Sequence, residues 1–150
     1  RMDFTIDRIR TIRTPEGMKY IRNFMLDRPY MQLNYRTPRE YMVRMKELFD
    51  AGKLSQTAAR FFADYRPAEE LYDLNTDPHE INNLAHDPAY AHQLTSLRGT
   101  LNKWIKDTDD KGQYPEDDAN LRFTYKRWGN KRCVNPEYDK YRPKKTNSKK

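Results

Sequence analysis

The stretch that decides the fold runs from residue 66 to residue 110 and reads RPAEELYDLNTDPHEINNLAHDPAYAHQLTSLRGTLNKWIKDTDD. Residues 70–74 (ELYDL) predict a short strand before a turn sequence, with Leu71, Tyr72 and Leu74 as its packing residues. That turn is residues 75–78, where Asn, Asp and Pro favour a tight corner. Asp87 is then predicted to cap a helix that has Pro88 in its first position and ends by Gly112. The apolar residues of this helix recur at helical spacing and are Leu94, Leu97, Leu101, Trp104 and Ile105.

The order of short motifs in this stretch resembles the C-terminal subdomain of formylglycine-dependent sulfatases, in the alkaline-phosphatase superfamily. The motifs are ELYDL, NTDPHE, INNLA and the helix sequence LRGTLNKWIKDT. The wording of DPHE-x-x-NLA and the helix with Trp104 is most similar to the heparan N-sulfatase branch. The resemblance extends upstream through residues 10–24 (RTIRTPEGMKYIRNF) and downstream to about Glu116.

This resemblance implies a part of an enzyme that hydrolyses sulfate esters or sulfamates of a sulfated carbohydrate. In the family, formylglycine made from a C/S-x-P-x-R motif attacks sulfur beside a calcium ion. Cys133 is followed by Val134-Asn135-Pro136, so the proline is one position late and the arginine is missing. No catalytic or metal-binding residue is therefore expected in this chain. Formylglycine and calcium are expected in an upstream catalytic domain, which would be its partner in a periplasmic, secreted or lysosomal enzyme.

The length and composition set further bounds. A chain of 150 residues makes one domain at most, and its start at Arg1 without Met gives the expectation that it was cut from a longer protein. The single cysteine excludes an internal disulfide. No apolar run is long enough to span a membrane.

The net charge of +7 is concentrated at one end. The chain has 29 Lys and Arg residues and 22 Asp and Glu residues. Residues 122–150 contain 11 of the basic residues but only 2 of the acidic ones. We therefore expect a subdomain at 1–117 and a basic, extended tail at 118–150 that builds no core of its own. The aromatic residues at 121–141 favour partial wrapping over the domain, whereas the residues after Pro143 are expected to be mobile.

Two further parts of the chain have clear local signals. Residues 5–13 and 18–24 predict two strands joined by a type I turn at 14–17. Ile9 and Ile12 have opposite parity, which leaves open either a bulge or a strand packed on both faces. Thr37 is predicted to cap a helix that ends at Gly52. Ser55 is predicted to cap a second, short helix. The face predicted for the first helix consists of Tyr41, Met42, Met45, Leu48 and Phe49.

The candidate substrate-rim residues are Arg8, Arg10, Arg28, Tyr30 and His79. Arg8 and Arg10 belong to a cation-rich strand, and either form a solvated face or meet an anionic sugar. The resemblance implies that the loop 23–35 borders the substrate pocket, which makes Arg28 and Tyr30 its candidate contacts. His79 either braces the corner or faces the cleft. His86 and His92 are six residues apart, which separates them on a helix and argues against a shared metal.

These observations predict an α+β fold. A small antiparallel sheet of three or four strands is expected to be packed by the long helix, with two further helices alongside. The predicted function is that of a sulfatase C-terminal subdomain. Two alternatives remain: a stand-alone basic module that binds sulfated glycan or nucleic acid, and a structural fragment without a ligand. Membrane association is not expected, and nucleic acid is disfavoured as a partner, because a basic tail alone is a weak signal.

Overall fold

The computed structural model describes residues 4–34 and 36–143 and confirms the predicted α+β class. In this part of the chain the strands are β1 (Ile9–Arg13), β2 (Met18–Asn23) and β3 (Glu69–Asp73). The helices are α1 (Glu40–Asp50), α2 (Gln56–Ala59), α3 (Ala91–Asp107) and α4 (Asp118–Trp128). Short 3-10 segments lie at Arg60–Phe62, Pro88–Tyr90, Lys111–Gln113 and Pro136–Tyr141. None of the helices described is long and apolar enough to cross a membrane.

The sheet has the order β1-β2-β3, and both strand pairs are antiparallel. In the hairpin, Ile9 lies opposite Asn23 and Arg13 opposite Lys19, and the register between them is continuous. This excludes a bulge within the described hairpin. The imperfect alternation reflects a strand packed on both faces, because Ile12 packs toward α3 while Ile9 lines the opposite face of the sheet.

The turn of this hairpin requires a glycine at its last position. The Gly17 amide donates to the Thr14 carbonyl at 3.1 Å, and the Thr14 amide donates to the Met18 carbonyl at 2.9 Å. Gly17 has a φ of +93°, in the left-handed region that favours glycine. A Cβ there would lie 2.6 Å from Nδ2 of Asn75. The turn and the corner after β3 are therefore held against each other.

Helix α3 covers one face of the sheet and forms the first core. Its buried residues Leu94, Leu97, Leu101 and Ile105 pack with Tyr20 and Leu71. The prediction that Trp104 belongs to this stripe is wrong, because its side chain is 49% exposed. Ile105 takes the core position at this level of the helix, and the step of about 100° between consecutive residues turns Trp104 toward solvent.

The ends of α3 are set by aspartates. Oδ1 of Asp87 accepts the Ala89 amide at 2.9 Å and confirms the predicted cap, here on the 3-10 turn that leads into the helix. The predicted stop at Gly112 is wrong, since α3 ends at Asp107. Asp109 adopts a φ of +47°, which allows the Asp110 amide to donate to the carbonyl of Ile105. Aspartate tolerates this left-handed conformation, so the helix closes without glycine.

A second core joins the two ends of the chain. Its buried residues are Phe4, Ile6, Met25, Leu121, Cys133 and Tyr138. The Tyr138 hydroxyl donates to the Phe4 carbonyl at 2.9 Å, and Oδ1 of Asp117 caps α4 by accepting the Asn120 amide. Residues 118–128 and 136–141 are helical and not extended, and α4 and the 3-10 segment pack against the N-terminal residues, as the expected wrapping of residues 121–141 requires. Residues 144–150, for which mobility was expected, lie outside the described residues.

Helix α1 begins later than predicted. It starts at Glu40, and Oγ1 of Thr37 accepts the Asn34 amide at 2.8 Å instead of capping the helix. The hydroxyl thus serves a local turn that competes with the cap. Met42 is the buried residue of α1, whereas Tyr41 is 57% exposed and does not belong to the packed face.

Two other local predictions for this region are confirmed. Gly52 follows the end of α1 with a φ of +65°, and the amide of Lys53 reaches back to the carbonyl of Leu48. Oγ of Ser55 accepts the Ala58 amide at 3.2 Å and caps α2. Each of these features depends on neighbouring residues alone.

Candidate functional site

A cleft of about 560 Å³ lies on the sheet face opposite α3. Its floor consists of strand residues that point away from the α3 core, among them Thr11, Ile21 and Glu70. One wall is formed by α2 and the 3-10 segment Arg60–Phe62, and the other by the loop from His79 to Asn83. The sheet thus has a covered face and a face that carries a concave surface.

A buried carboxylate is the centre of the cleft floor. Glu70 is 4% exposed, and its oxygens accept from Nδ2 of Asn23 and from the Tyr72 hydroxyl, each at 2.6 Å. Burial and the hydrogen bond to Glu70 raise the pKa of Tyr72 well above its ordinary value. Burial, followed by the Glu70 charge, likewise raises the pKa of Tyr30. The Tyr72 phenol therefore stays protonated and acts as a donor to this carboxylate.

The Asn23 amide has a fixed orientation with one unused acceptor. Its Nδ2 donates to the carbonyl of Pro67 at 2.8 Å and to Glu70, so the amide nitrogen must face these two oxygens. Asn23 is 4% exposed, and among the described residues its Oδ1 accepts no hydrogen bond. A buried acceptor without a donor is unfavourable and unusual.

The rim of the cleft is rich in exposed apolar side chains. Phe61 is 47% exposed, Tyr65 75% and Ile81 37%. Nη1 of Arg60 donates to the carbonyl of Ile81 and so connects the two walls. Aromatic faces beside a few polar groups are the usual lining of ligand sites.

One rim residue is held in an unfavourable backbone conformation. Glu80 has a φ of +57°, and its carboxylate pairs with Nζ of Lys19 at 2.7 Å. Non-glycine residues in this region occur where the surrounding structure imposes the conformation. The ion pair ties the loop of His79 to the central strand β2.

Two of the predicted rim residues lie in this cleft. Tyr30 and His79 both line it, although they are 49 positions apart in the sequence. The Tyr30 ring has the Arg66 guanidinium 5.4 Å from its centroid, which fixes the ring at the cleft floor. His79 is exposed on the opposite wall.

Arg8 and Arg10 lie on the other side of the sheet. Nε and Nη2 of Arg10 bind the two oxygens of Asp110 at 2.7 and 2.8 Å, and the hydrogen bond from Arg10 lowers the pKa of Asp110. Nη1 of Arg8 donates to the carbonyl of Gln113 at 2.8 Å. Both side chains border a separate depression of about 430 Å³ next to the end of α3. They cannot join Tyr30 and His79 in one site, because the sheet separates them.

Arg28 is buried in the second core. It is 4% exposed and donates to the carbonyl of Ile6 at 2.9 Å. Its guanidinium also pairs with Asp27 and Glu137, each at 2.9 Å. This placement ties the loop after β2 to the C-terminal 3-10 segment and gives Arg28 a packing environment outside the cleft.

Sequence reasoning missed the central members of the cleft. Glu70 and Asn23 were not singled out, and Tyr72 was assigned to packing together with Leu71. A signal was present, because adjacent residues of a strand point to opposite faces. Leu71 faces the α3 core, so Glu70 and Tyr72 had to face away from it.

The described residues do not fit the formylglycine or calcium of the sulfatase reaction. Cys133 is fully buried and its Sγ lies 3.9 Å from the carbonyl of Thr124. Within residues 4–34 and 36–143, no group of three His, Cys, Asp or Glu side chains is placed to hold a metal ion. His86 and His92 are exposed.

The chain is similar in sequence to two curated sulfatases. No family model matches it. A curated ulvan-active sulfatase from Formosa agariphila is 36% identical over 117 residues, which cover 77% of this chain and 20% of the relative. The chain therefore resembles a sulfatase C-terminal region. Human N-sulphoglucosamine sulphohydrolase is 52% identical over 46 residues, or 31% of this chain and 9% of that enzyme. The predicted resemblance to the heparan N-sulfatase branch is confirmed, and the chain spans at most about a fifth of the length of these relatives.

Proposed function

We propose that the chain is the C-terminal portion of an enzyme that hydrolyses sulfate esters or sulfamates of a sulfated carbohydrate. The observation that carries this proposal is the 36% identity over 117 residues to a sulfatase active on ulvan. The second relative, an N-sulphoglucosamine sulphohydrolase, acts by its name on a sulfated sugar. The rest of the enzyme supplies the nucleophile, formylglycine, and a calcium ion.

Within that enzyme the chain contributes structure and part of the substrate-pocket rim. The proposed rim residues are Tyr30, His79 and Arg60, which line the cleft together with exposed aromatic side chains. Hydroxyl groups of a sugar can bond to phenols and carboxylates, while its apolar face stacks on aromatic rings. Arg8, Arg10 and Arg28 are assigned to ion pairs and backbone contacts that hold the fold.

The test starts from the reading frame that encodes this chain. We expect a C/S-x-P-x-R motif upstream, and we expect the complete protein to release sulfate from ulvan or heparin, measured by ion chromatography. Replacing the motif Cys or Ser with Ala serves as the control and should abolish release. A complete protein without this motif, or with release unaffected by that replacement, would exclude the sulfatase function.

The isolated chain is expected to be inactive. Because its described residues hold neither the nucleophile motif nor a metal-binding group, adding calcium should not produce turnover of a chromogenic aryl sulfate. Turnover above the buffer blank would show that the chain carries a nucleophile of its own.

A further inference from the structure

The outer face of α4 and the turn after it form a continuous basic surface. The residues of this surface, which we call the α4 basic face, are all exposed and are Arg122, Phe123, Lys126, Arg127, Lys131 and Arg132. The inner face of the same helix carries the buried Leu121 and Thr124. One amphipathic element thus packs against the second core and presents cations on its opposite side.

Most of these cations have no acidic partner. The sequence contains no Asp or Glu between Asp118 and Glu137. Asp118 pairs with Arg122 and Lys140, but in the described part of the chain no carboxylate forms a salt bridge with Lys126, Arg127, Lys131 or Arg132. Elsewhere exposed cations are neutralised locally, as Lys46 is by Asp50 and Lys103 by Asp107.

Two of the unpaired guanidinium groups are held in place by one ring. Arg127 lies 5.3 Å and Arg132 4.9 Å from the centroid of Trp128. Trp128 is itself anchored by an edge contact with Phe4 at 5.7 Å. The two groups are therefore arranged before any partner binds, which reduces the entropy lost on binding.

An exposed aromatic ring lies among the cations. Phe123 is 66% exposed, although the inner face of α4 offers a buried environment. The helix dipole favours Lys126 and Arg127 in the last turn of α4. It accounts neither for Phe123 nor for Lys131 and Arg132, which lie beyond the helix end. A partner that offers both negative charge and an apolar ring face accounts for all of them.

We propose that the α4 basic face is a binding surface for a sulfated polysaccharide chain, separate from the cleft. Sulfate groups would pair with the guanidinium and ammonium groups, and Phe123 would contact the apolar face of a sugar ring. The choice of a sulfated glycan among polyanions rests on the proposed sulfatase function. Single-stranded nucleic acid is less suited, because its successive bases need several stacking rings and Phe123 offers one.

The test measures binding of heparin to the full 150-residue chain at several salt concentrations. We expect affinity to fall steeply with salt, since each contact releases a counterion. Arg127→Gln with Arg132→Gln should weaken binding by about tenfold and flatten the salt dependence, whereas Arg127→Lys with Arg132→Lys should retain most of it. Phe123→Ala should weaken binding without changing the salt dependence.

The matched control removes two exposed cations elsewhere. Lys46→Gln with Lys103→Gln changes the net charge equally but leaves the α4 basic face intact, so heparin binding should stay near the parent value. Near-UV circular dichroism checks that each variant is folded. Equal loss in both double variants would show that net charge alone is responsible and would overturn the proposal.

Two further probes separate the partner classes. Desulfated, N-acetylated heparin should bind much more weakly than heparin, and a single-stranded oligonucleotide of similar charge should not bind more tightly. Tighter binding of the oligonucleotide would replace the glycan with nucleic acid, and equal binding of the desulfated polymer would also contradict the proposal. Failure here is independent of sulfate release by the complete enzyme, which tests the catalytic function.

Discussion

Tyr138 and Phe4 join the two ends of the described chain, because the fully buried Tyr138 hydroxyl donates to the Phe4 carbonyl at 2.9 Å. Leu121 and Cys133 complete this core from the basic part of the sequence. The same part thus supplies buried residues on one side and exposed cations on the other. The positive charge of this part of the sequence therefore lies on its outer surface alone.

Truncating Tyr138 should destabilise the protein strongly. Tyr138→Ala removes a fully buried ring and is expected to lower the free energy of unfolding by about 3–5 kcal/mol, the range for large aromatic truncations. Urea denaturation followed by circular dichroism measures this. Phe123→Ala is the control on α4, where a ring that is 66% exposed should contribute less than about 0.5 kcal/mol. Similar losses in the two variants would show that the second core is not formed.

The first core is tested on α3. Leu97 is 8% exposed and packs in the cluster with Tyr20 and Leu71, so Leu97→Ala should reduce the free energy of unfolding by about 2–5 kcal/mol. Trp104→Ala, on the same helix but half exposed, should cost clearly less. If thermal melts showed a larger loss of stability for Trp104→Ala than for Leu97→Ala, the assignment of the buried stripe on α3 would be wrong.

Two glycines should respond to alanine with opposite signs. Gly99 lies within α3 with nothing near its missing Cβ, so Gly99→Ala should stabilise by about 0.5–1 kcal/mol through helix propensity. At Gly112 a Cβ would lie 1.8 Å from Nη2 of Arg10. Gly112→Ala should therefore displace the Arg10–Asp110 pair and cost up to about 1 kcal/mol. Thermal melts that shift in the same direction would refute this contact.

The carboxylate of Glu69 makes a pH-dependent contribution to stability. Hydrogen bonds from Arg98 at 2.7 Å lower its pKa below the ordinary 4.5, so the folded state favours the charged form. The contribution is complete above about pH 4.5 and is lost as the pH falls through the lowered value. The difference in Tm between the parent and Glu69→Gln should therefore shrink between pH 6 and pH 3. A constant difference would mean that the Glu69 charge does not stabilise the fold.

The elements that depend on local sequence could be predicted. The 14–17 turn, the caps at Ser55 and Asp87, and the leucine stripe of α3 are set by residues within a few positions of one another. Thr37 shows the limit, because its hydroxyl had two local uses and the turn with Asn34 prevailed over the helix cap.

The candidate site could not be predicted from the sequence, because the sequence alone does not show which residues of each strand face α3 and which face the cleft. From the sequence, Arg10 and Tyr30 are both candidates for the substrate rim, but they lie on opposite sides of one sheet. Their separation follows from which parity of β1 faces α3, and the ambiguous Ile9 and Ile12 concealed it. Glu70 became recognisable only when Leu71 was placed in the core.

The proposal that this cleft contacts the substrate is tested most directly by measuring the kinetics of the complete enzyme on a sulfated oligosaccharide. Tyr30→Phe and His79→Ala should each raise KM about three- to tenfold with a smaller effect on kcat, as expected for lost hydrogen bonds in substrate binding. His92→Ala, an exposed histidine on α3, is the matched control and should leave KM unchanged. Unchanged KM in both cleft variants, with folding and metal content intact, would contradict a role of this cleft in substrate binding.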